Sequence, residues 1–204
     1  MVRTCPIRTR AETTRTFVAL RPSARQHAAV HEAIDRLAHA DVIPEGTKRT
    51  PVRWADPATV HLTLAFLGGL DRAEVRAATE IVREVAAAHT PFAWAPAGFG
   101  AFPAPRRARV LWIGVGPGGP PVRRLQADLD AALRQAGLLT GDDKPFTPHL
   151  TVGRLRGRGH PVHLPDGWHG PTDRAEAVTV FASELRPDGP RHHVLATAPL
   201  RAEG

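Results

Sequence analysis

One cysteine, one methionine, two lysines and no tyrosine are the scarcities of this 204-residue chain. The lone Cys5 excludes an internal disulfide and any multi-cysteine metal site. No apolar run approaches the 18 residues that would suggest a membrane-spanning helix. The N-terminal stretch MVRTCPIRTRAETTR is polar and basic, without the apolar core of a secretory signal. These absences make the cytoplasm the expected compartment. The shortage of lysine leaves arginine to supply 25 of the 27 basic residues, for a net charge of +7. With heavy use of alanine, glycine and proline, part of that excess reads as a coding bias. A basic surface still favours anionic partners such as nucleic acid.

What the chain does contain is a regular alternation of elements. RTFVALRP (15–22) predicts a strand, and Pro22–Ala40 a helix capped by Ser23 with Val30, Ile34 and Leu37 inward. TVHLTLAFLG predicts a second strand. Asp71 then caps a helix whose expected buried face is Val75, Ala78, Ile81, Val82 and Val85. Strand-rich ends near Phe92–Trp94 and Arg109–Val115 flank an expected Gly/Pro loop. GPGGPP reads as a turn before a third helix with Leu125, Leu129 and Leu133 at four-residue spacing, ended by Gly137. PHLTVGRLRG follows, then a long loop expected to be mobile, then two strands around the turn RPDGP. Helix, loop and HLT strand occur twice, so the expected class is α+β with two similar lobes. Residues 1–14 read as a disordered extension and 15–204 as one bilobed domain.

The two HLT strands carry the chemistry. On a strand, residues two apart share a face. His61 and Thr63 therefore share one face with Ala65, and Leu62, Leu64 and Phe66 share the other. Eighty-eight residues later, His149, Thr151 and Gly153 share a face, opposite Leu150, Val152 and Arg154. The small third residue suggests room for a ligand beside His and Thr. The triplet alone is weak, since composition makes about one H-x-T by chance and two core strands would look alike. Agreement of HLTLAFL with HLTVGRL at four of seven positions strengthens it. Two imidazoles with ordinary pKa near 6.5 can work as one base and one acid on opposite sides of a phosphorus. Neighbouring threonine hydroxyls can donate to the non-bridging oxygens. Such a scheme calls for no metal and no cofactor.

RTFVALRP, HLTLAFLG, GFGAFPAPRRARVLWIGV, KPFTPHLTVGRLR and FASELRPDGPRHHVLATAPL together resemble, in order, the two-histidine (HXTX-motif) phosphoesterase superfamily. Within it they are similar to the RNA 2′,3′-cyclic phosphodiesterases, also called 2′-5′ RNA ligases. The resemblance implies two similar antiparallel β-sheet lobes around a central cleft, with helices outside. It implies metal-independent hydrolysis of RNA 2′,3′-cyclic phosphate ends to 2′-phosphate ends, with reverse 2′-5′ ligation as the same chemistry run backwards. It implies His61 as general acid to the leaving 3′ oxygen, His149 as the base that activates water, and Thr63 and Thr151 as phosphate-binding residues. Relatives often carry a tyrosine where this chain has His192 or His193, so base preference is expected to differ here.

Arg106, Arg107 and Arg109 follow the Phe-Pro loop, and Arg154, Arg156 and Arg158 follow the second motif. Arg106 and Arg154 are taken as substrate-binding candidates, against the plain alternative of solvated charge. His27 and His31, at helical spacing, and His160, His163 and His169, in one loop, are surface histidines in preference to metal ligands. GPGGPP lacks the lysine and hydroxyl of a phosphate loop. Ser183 is not in a nucleophile elbow. Trp54 and Phe66 read as core. The expected partners are RNA ends or cyclic-phosphate nucleotides, bound by a monomer without membrane contact. The alternatives are a phosphodiesterase acting on a small cyclic phosphate nucleotide, and a non-catalytic RNA- or nucleotide-binding module.

Overall fold

The structure, a computed structural model, describes residues 13–40, 42–43, 52–141, 145–186 and 189–201. The expected extension at 1–14 lies outside these except for Thr13 and Thr14, and Thr14 already opens a strand. The turn RPDGP and the loops around 41–51 and 142–144 fall partly outside them.

Ten strands and three α-helices are formed by the described residues. In chain order they are β1 (Thr14–Leu20), α1 (Ala24–His39), β2 (Val52–Trp54), β3 (Leu62–Leu70), α2 (Arg72–Ala88), β4 (Phe92–Trp94) and β5 (Pro96–Phe102). β6 (Val110–Val115), α3 (Gly119–Gln135), β7 (His149–Leu155), β8 (Asp173–Ala175), β9 (Ala177–Arg186) and β10 (Gly189–Pro199) complete the series. Capping boxes start α1 and α2 as the sequence indicates: Ser23 with Gln26, and Asp71 with Glu74, each satisfying backbone N–H groups that the first turn leaves unpaired. α3 begins earlier than expected, inside GPGGPP, because Gly118 takes φ 83° as its cap and Pro120 suits a first turn.

One antiparallel sheet runs in the order β10-β9-β1-β3-β7-β6-β5, with β2 also on β7; β4 pairs with β8 separately. The expected Gly/Pro loop at 95–108 is largely β5, whose glycines let it lie close to β6. The aromatic ring of Trp112 occupies the space where a Cβ of its cross-strand partner Gly100 would stand. The loop expected to be mobile is tied down instead: His160 exchanges backbone hydrogen bonds with Ala108, and Trp168 and Gly170 bond to Gly98 and Pro96.

The sheet has a neck. β1 and β3 share seven paired positions, whereas β3 and β7 share one, Leu62 with Leu150. On one side stand β10-β9-β1-β3, on the other β7-β6-β5 with β2, which is the expected bilobed α+β arrangement of antiparallel strands. Both neck leucines are fully buried. They join a core in which Val18, Leu20 and Val152 meet Val30, Ile34 and Leu37 of α1, Val82 of α2, and Leu125, Leu129 and Leu133 of α3. Truncating either neck leucine to alanine should cost about 2–5 kcal/mol. The face opposite this core has a small cluster of its own, Phe17, Ala19 and Phe181.

Candidate active site

Both histidines sit at the neck. His61 and Thr63 flank Leu62, and His149 and Thr151 flank Leu150, so the Leu62–Leu150 pair brings all four to the neck, on the face opposite the core. The two rings are close enough to interact electrostatically. Each ring is held in the same way. His61 Nδ1 lies 2.8 Å from the Thr59 carbonyl, and His149 Nδ1 lies 2.8 Å from the Thr147 carbonyl. A carbonyl only accepts, so the proton belongs on Nδ1 and the lone pair on Nε2. The motif therefore extends two residues upstream: Thr-x-His-Leu-Thr in both copies.

The strands share a second device. Against β1, Ala19 pairs with Thr63 and Val18 with Ala65, which leaves Leu64 as an extra residue. Against β6, Trp112 pairs with Thr151 and Leu111 with Gly153, which leaves Val152 extra. Each HLT strand thus bulges at the third residue after its histidine, and a bulge inverts the alternation beyond it. Ala65 and Gly153 consequently face the core, not the histidines. The missing Cβ of Gly153 makes room for Val52 and Trp54, at 2.9 and 3.1 Å from where it would stand. Phe66 and Arg154 move the other way, onto the histidine face. Strict alternation had placed Phe66 in the core; it is 68% exposed.

The surroundings of the two rings differ. His61 stacks on Phe17 at 4.7 Å and meets His192 edge-on at 5.2 Å, with Phe181 behind. Burial pushes its pKa down to about 4, opposed by the Thr59 bond and reinforced by His192, His149 and His27. His149 meets Phe102 edge-on at 4.9 Å, with Trp112 at 6.2 Å. Its pKa is also lowered, by burial first and by Arg154 among the charges. In the unliganded protein at neutral pH both rings are neutral.

Comparisons with known proteins identify the family and the fold. The family model described as 2′-5′ RNA ligase superfamily matches residues 27–160, more than half of the chain. The chain belongs to this superfamily. Its match to the RNA 2′,3′-cyclic phosphodiesterase of Methanothermobacter thermautotrophicus is 31% identical and covers 68% of this chain and 77% of that protein. The enzyme of the same name from Thermotoga maritima is 27% identical over 89% of this chain and 92% of its own. With that of Aquifex aeolicus identity is 33%, but the match spans only 51% of this chain and 55% of that protein. A crystal structure from Thermus thermophilus superimposes with TM-score 0.73 at 28% identity, covering 93% of this chain and all of that one. Escherichia coli LigT in complex with 3′-AMP has the same fold, with TM-score 0.74 at 21% identity over 93% of this chain and 99% of that one. The expected family and enzyme class, an RNA 2′,3′-cyclic phosphodiesterase, agree with these relatives.

Of the superfamily candidates named from sequence, His61, Thr63, His149, Thr151 and Arg154 share one face of the sheet at the neck. Arg106 is exposed on the 3₁₀ turn Pro105–Arg107 that follows Phe102. Among the described residues no three His, Cys, Asp or Glu side chains gather to hold a metal. His31 lies beside Asp35 on the surface of α1 and His27 bonds the Pro57 carbonyl. No helix among the described residues is long and apolar enough to cross a membrane. Sequence reasoning missed Arg53, the cross-strand partner of Arg154, and the aromatic neighbours Phe17, Phe102, Trp112 and Phe181. Only the β2–β7 pairing reveals Arg53. His192 was singled out, but not its contact with His61.

Proposed function

We propose that this protein hydrolyses RNA 2′,3′-cyclic phosphate ends to 2′-phosphate ends with His61 and His149 as an acid–base pair. The observation that carries this is the matched fixing of the two rings: Nδ1–H held by a carbonyl two residues upstream in each, with both histidines brought to the neck by the Leu62–Leu150 pair. His149 Nε2 takes a proton from water as the water oxygen attacks phosphorus. The P–O3′ bond breaks, and His61 Nε2–H gives its proton to O3′, leaving a 3′-hydroxyl and a 2′-phosphate. The hydroxyls of Thr63 and Thr151 donate to the non-bridging oxygens, where charge grows in the transition state. The order of roles follows the family.

His61 must gain a proton before it can act as the acid, and its depressed pKa opposes this in the free protein. The substrate supplies the remedy. A phosphodiester anion set between the rings favours their charged forms and raises both pKa values. Protonation of one ring is thereby coupled to binding. Arg154, whose positive charge already acts on His149, supports an anionic ligand on the second half.

The test is turnover of an RNA oligonucleotide ending in a 2′,3′-cyclic phosphate, in EDTA, with phosphorus NMR of the product. A 2′-phosphate is expected. A 3′-phosphate, or no turnover by a folded protein, overturns the reading.

A further inference from the structure

His61 depends on a carbonyl that its own strand does not hold. The Thr59 carbonyl, 2.8 Å from His61 Nδ1, belongs to the 3₁₀ turn Pro57–Thr59 just before β3. Most bonds of this turn are internal. Asp56 Oδ1 accepts from the Ala58 N–H at 3.0 Å, and the Asp56 carbonyl accepts the N–H and the hydroxyl of Thr59 at 2.9 and 2.8 Å. The Pro57 carbonyl accepts the Val60 N–H at 3.2 Å. A turn this short cannot fix its own place on the sheet, so it is anchored from both sides. Just before it, the Ala55 N–H donates to the carbonyl of Val152, the bulged residue of the second HLT strand, at 2.9 Å. From α1, His27 brings Nδ1 to 3.1 Å from the Pro57 carbonyl.

The Pro57 carbonyl thus serves two donors, the Val60 N–H that closes the turn and the His27 ring, and a carbonyl oxygen has a lone pair for each. His27 is half-buried in the opening turns of α1, and its backbone N–H bonds the carbonyl of the cap residue Ser23 at 2.8 Å. A capped helix whose inner face is packed into the core is a rigid mount. Nδ1–H is present both in the neutral Nδ1 tautomer and in the imidazolium, so the bond does not depend on the charge of His27. The ring also lies near enough to act on the charge of His61. One line of contacts therefore joins helix and site: His27 Nδ1–H to the Pro57 carbonyl, the backbone of the turn, then the Thr59 carbonyl to His61 Nδ1–H.

We propose that His27 is a positioning residue for His61: it docks the Pro57–Thr59 turn on α1, so that the Thr59 carbonyl keeps the proton on His61 Nδ1 and only Nε2 exchanges a proton with substrate. The role of His61 as the acid rests on the reaction assigned above. Without the clamp the carbonyl is free to drift. The neutral ring can then carry its proton on Nε2, and the imidazolium that must form loses an acceptor. His149 is held by the Thr147 carbonyl on a different segment and is not reached by this clamp.

Nitrogen-15 NMR of the imidazoles tests the clamp without relying on turnover. In the unliganded protein at neutral pH, His61 and His149 should both report Nδ1-protonated tautomers. His27→Leu should lower the Nδ1–H fraction of His61 and leave that of His149 unchanged, so His149 serves as the internal reference for folding. His27→Asn, whose side-chain N–H can stand where Nδ1–H stood, should restore it. On a cyclic-phosphate RNA end, His27→Leu should lower kcat about 2- to 12-fold, the worth of one hydrogen bond, with KM nearly unchanged. His27→Asn should stay close to the parent. An unchanged His61 tautomer in His27→Leu, an equal change at His149, or an asparagine variant as impaired as the leucine one overturns the clamp. A tautomer change confined to His61, with no turnover of the cyclic substrate by the parent protein, overturns the reaction and leaves the clamp standing.

Discussion

HLTLAFL and HLTVGRL are built on one frame and set in different surroundings. In both, a threonine carbonyl two residues upstream holds the histidine Nδ1–H at 2.8 Å, a threonine follows on the same face, and the next residue bulges. In both, the bulge turns the fifth residue after the histidine onto the site. In the first copy that residue is the apolar Phe66, and in the second the cationic Arg154. His61 is flanked by Phe17 and His192 and is the more deeply depressed base; His149 is flanked by Phe102 and has an arginine among its charges. A repeated frame thus gives two groups matched in geometry and set among unequal neighbours, aromatic on one side and cationic on the other.

The most severe break in the frame is loss of either ring. His61→Ala and His149→Ala should each lower kcat/KM on a cyclic-phosphate end by about 10²- to 10⁴-fold, the range for one acid–base group. The double variant should lose little more than the worse single one, because the two act as a unit. Circular dichroism checks that the fold survives. Near-normal turnover in either single variant would remove that histidine from the chemistry.

Acid stability sharpens the inequality. His61 titrates near 4 when folded and near 6.5 when unfolded. Between those values the unfolded chain binds the extra proton, so stability is complete above pH 6.5 and is lost as pH falls toward 4. The loss from this group is about 3 kcal/mol. His61→Gln should flatten the denaturant midpoint against pH over that window, and His149→Gln should flatten it less. Equal effects would contradict the asymmetry.

The threonines probe the half of the frame that is symmetric. Thr63→Val and Thr151→Val keep shape and remove a donor to a growing negative charge. Each should lower kcat by about 10- to 100-fold, the worth of one hydrogen bond to a charged group. An effect confined to KM would mean that the hydroxyls hold the ground state only.

Much of this was legible in the sequence. The caps at Ser23 and Asp71, the Leu125–Leu129–Leu133 stripe and the paired HLT triplets all depend on local spacing, and local spacing is what a sequence displays. The faces of Ala65, Phe66, Gly153 and Arg154 were not legible. Alternation is reliable only until a residue is inserted, and the bulges at Leu64 and Val152 carry no local mark: both are ordinary apolar residues in an apolar run. Only the register against β1 and β6 exposes them. Arg53 and the aromatic neighbours were hidden for a related reason, since each enters through a strand distant in sequence. The small residues at 65 and 153 were visible, but their cause was not. Gly153 is small because Trp54 lies over it, a contact made across β2 and β7.

Arg154 gives the smallest and most selective effect. It is exposed, so its attraction for an RNA backbone is screened by salt. Arg154→Gln should lower affinity for an oligonucleotide only a few-fold at moderate salt. The slope of log affinity against log salt should fall by about 0.7, the value for one single-strand phosphate contact. Binding of a mononucleotide should change less, because it lacks the neighbouring phosphates. The same substitution removes a positive charge that lowers the His149 pKa. That pKa should therefore rise, and the acidic limb of the pH–rate profile governed by the base should move to higher pH. Phe66→Ala, which removes no charge, should leave the salt slope unchanged. A salt slope and an acidic limb both unaltered in Arg154→Gln would deny the second half its electrostatic role, and the contrast between the two HLT strands would then rest on the aromatic side alone.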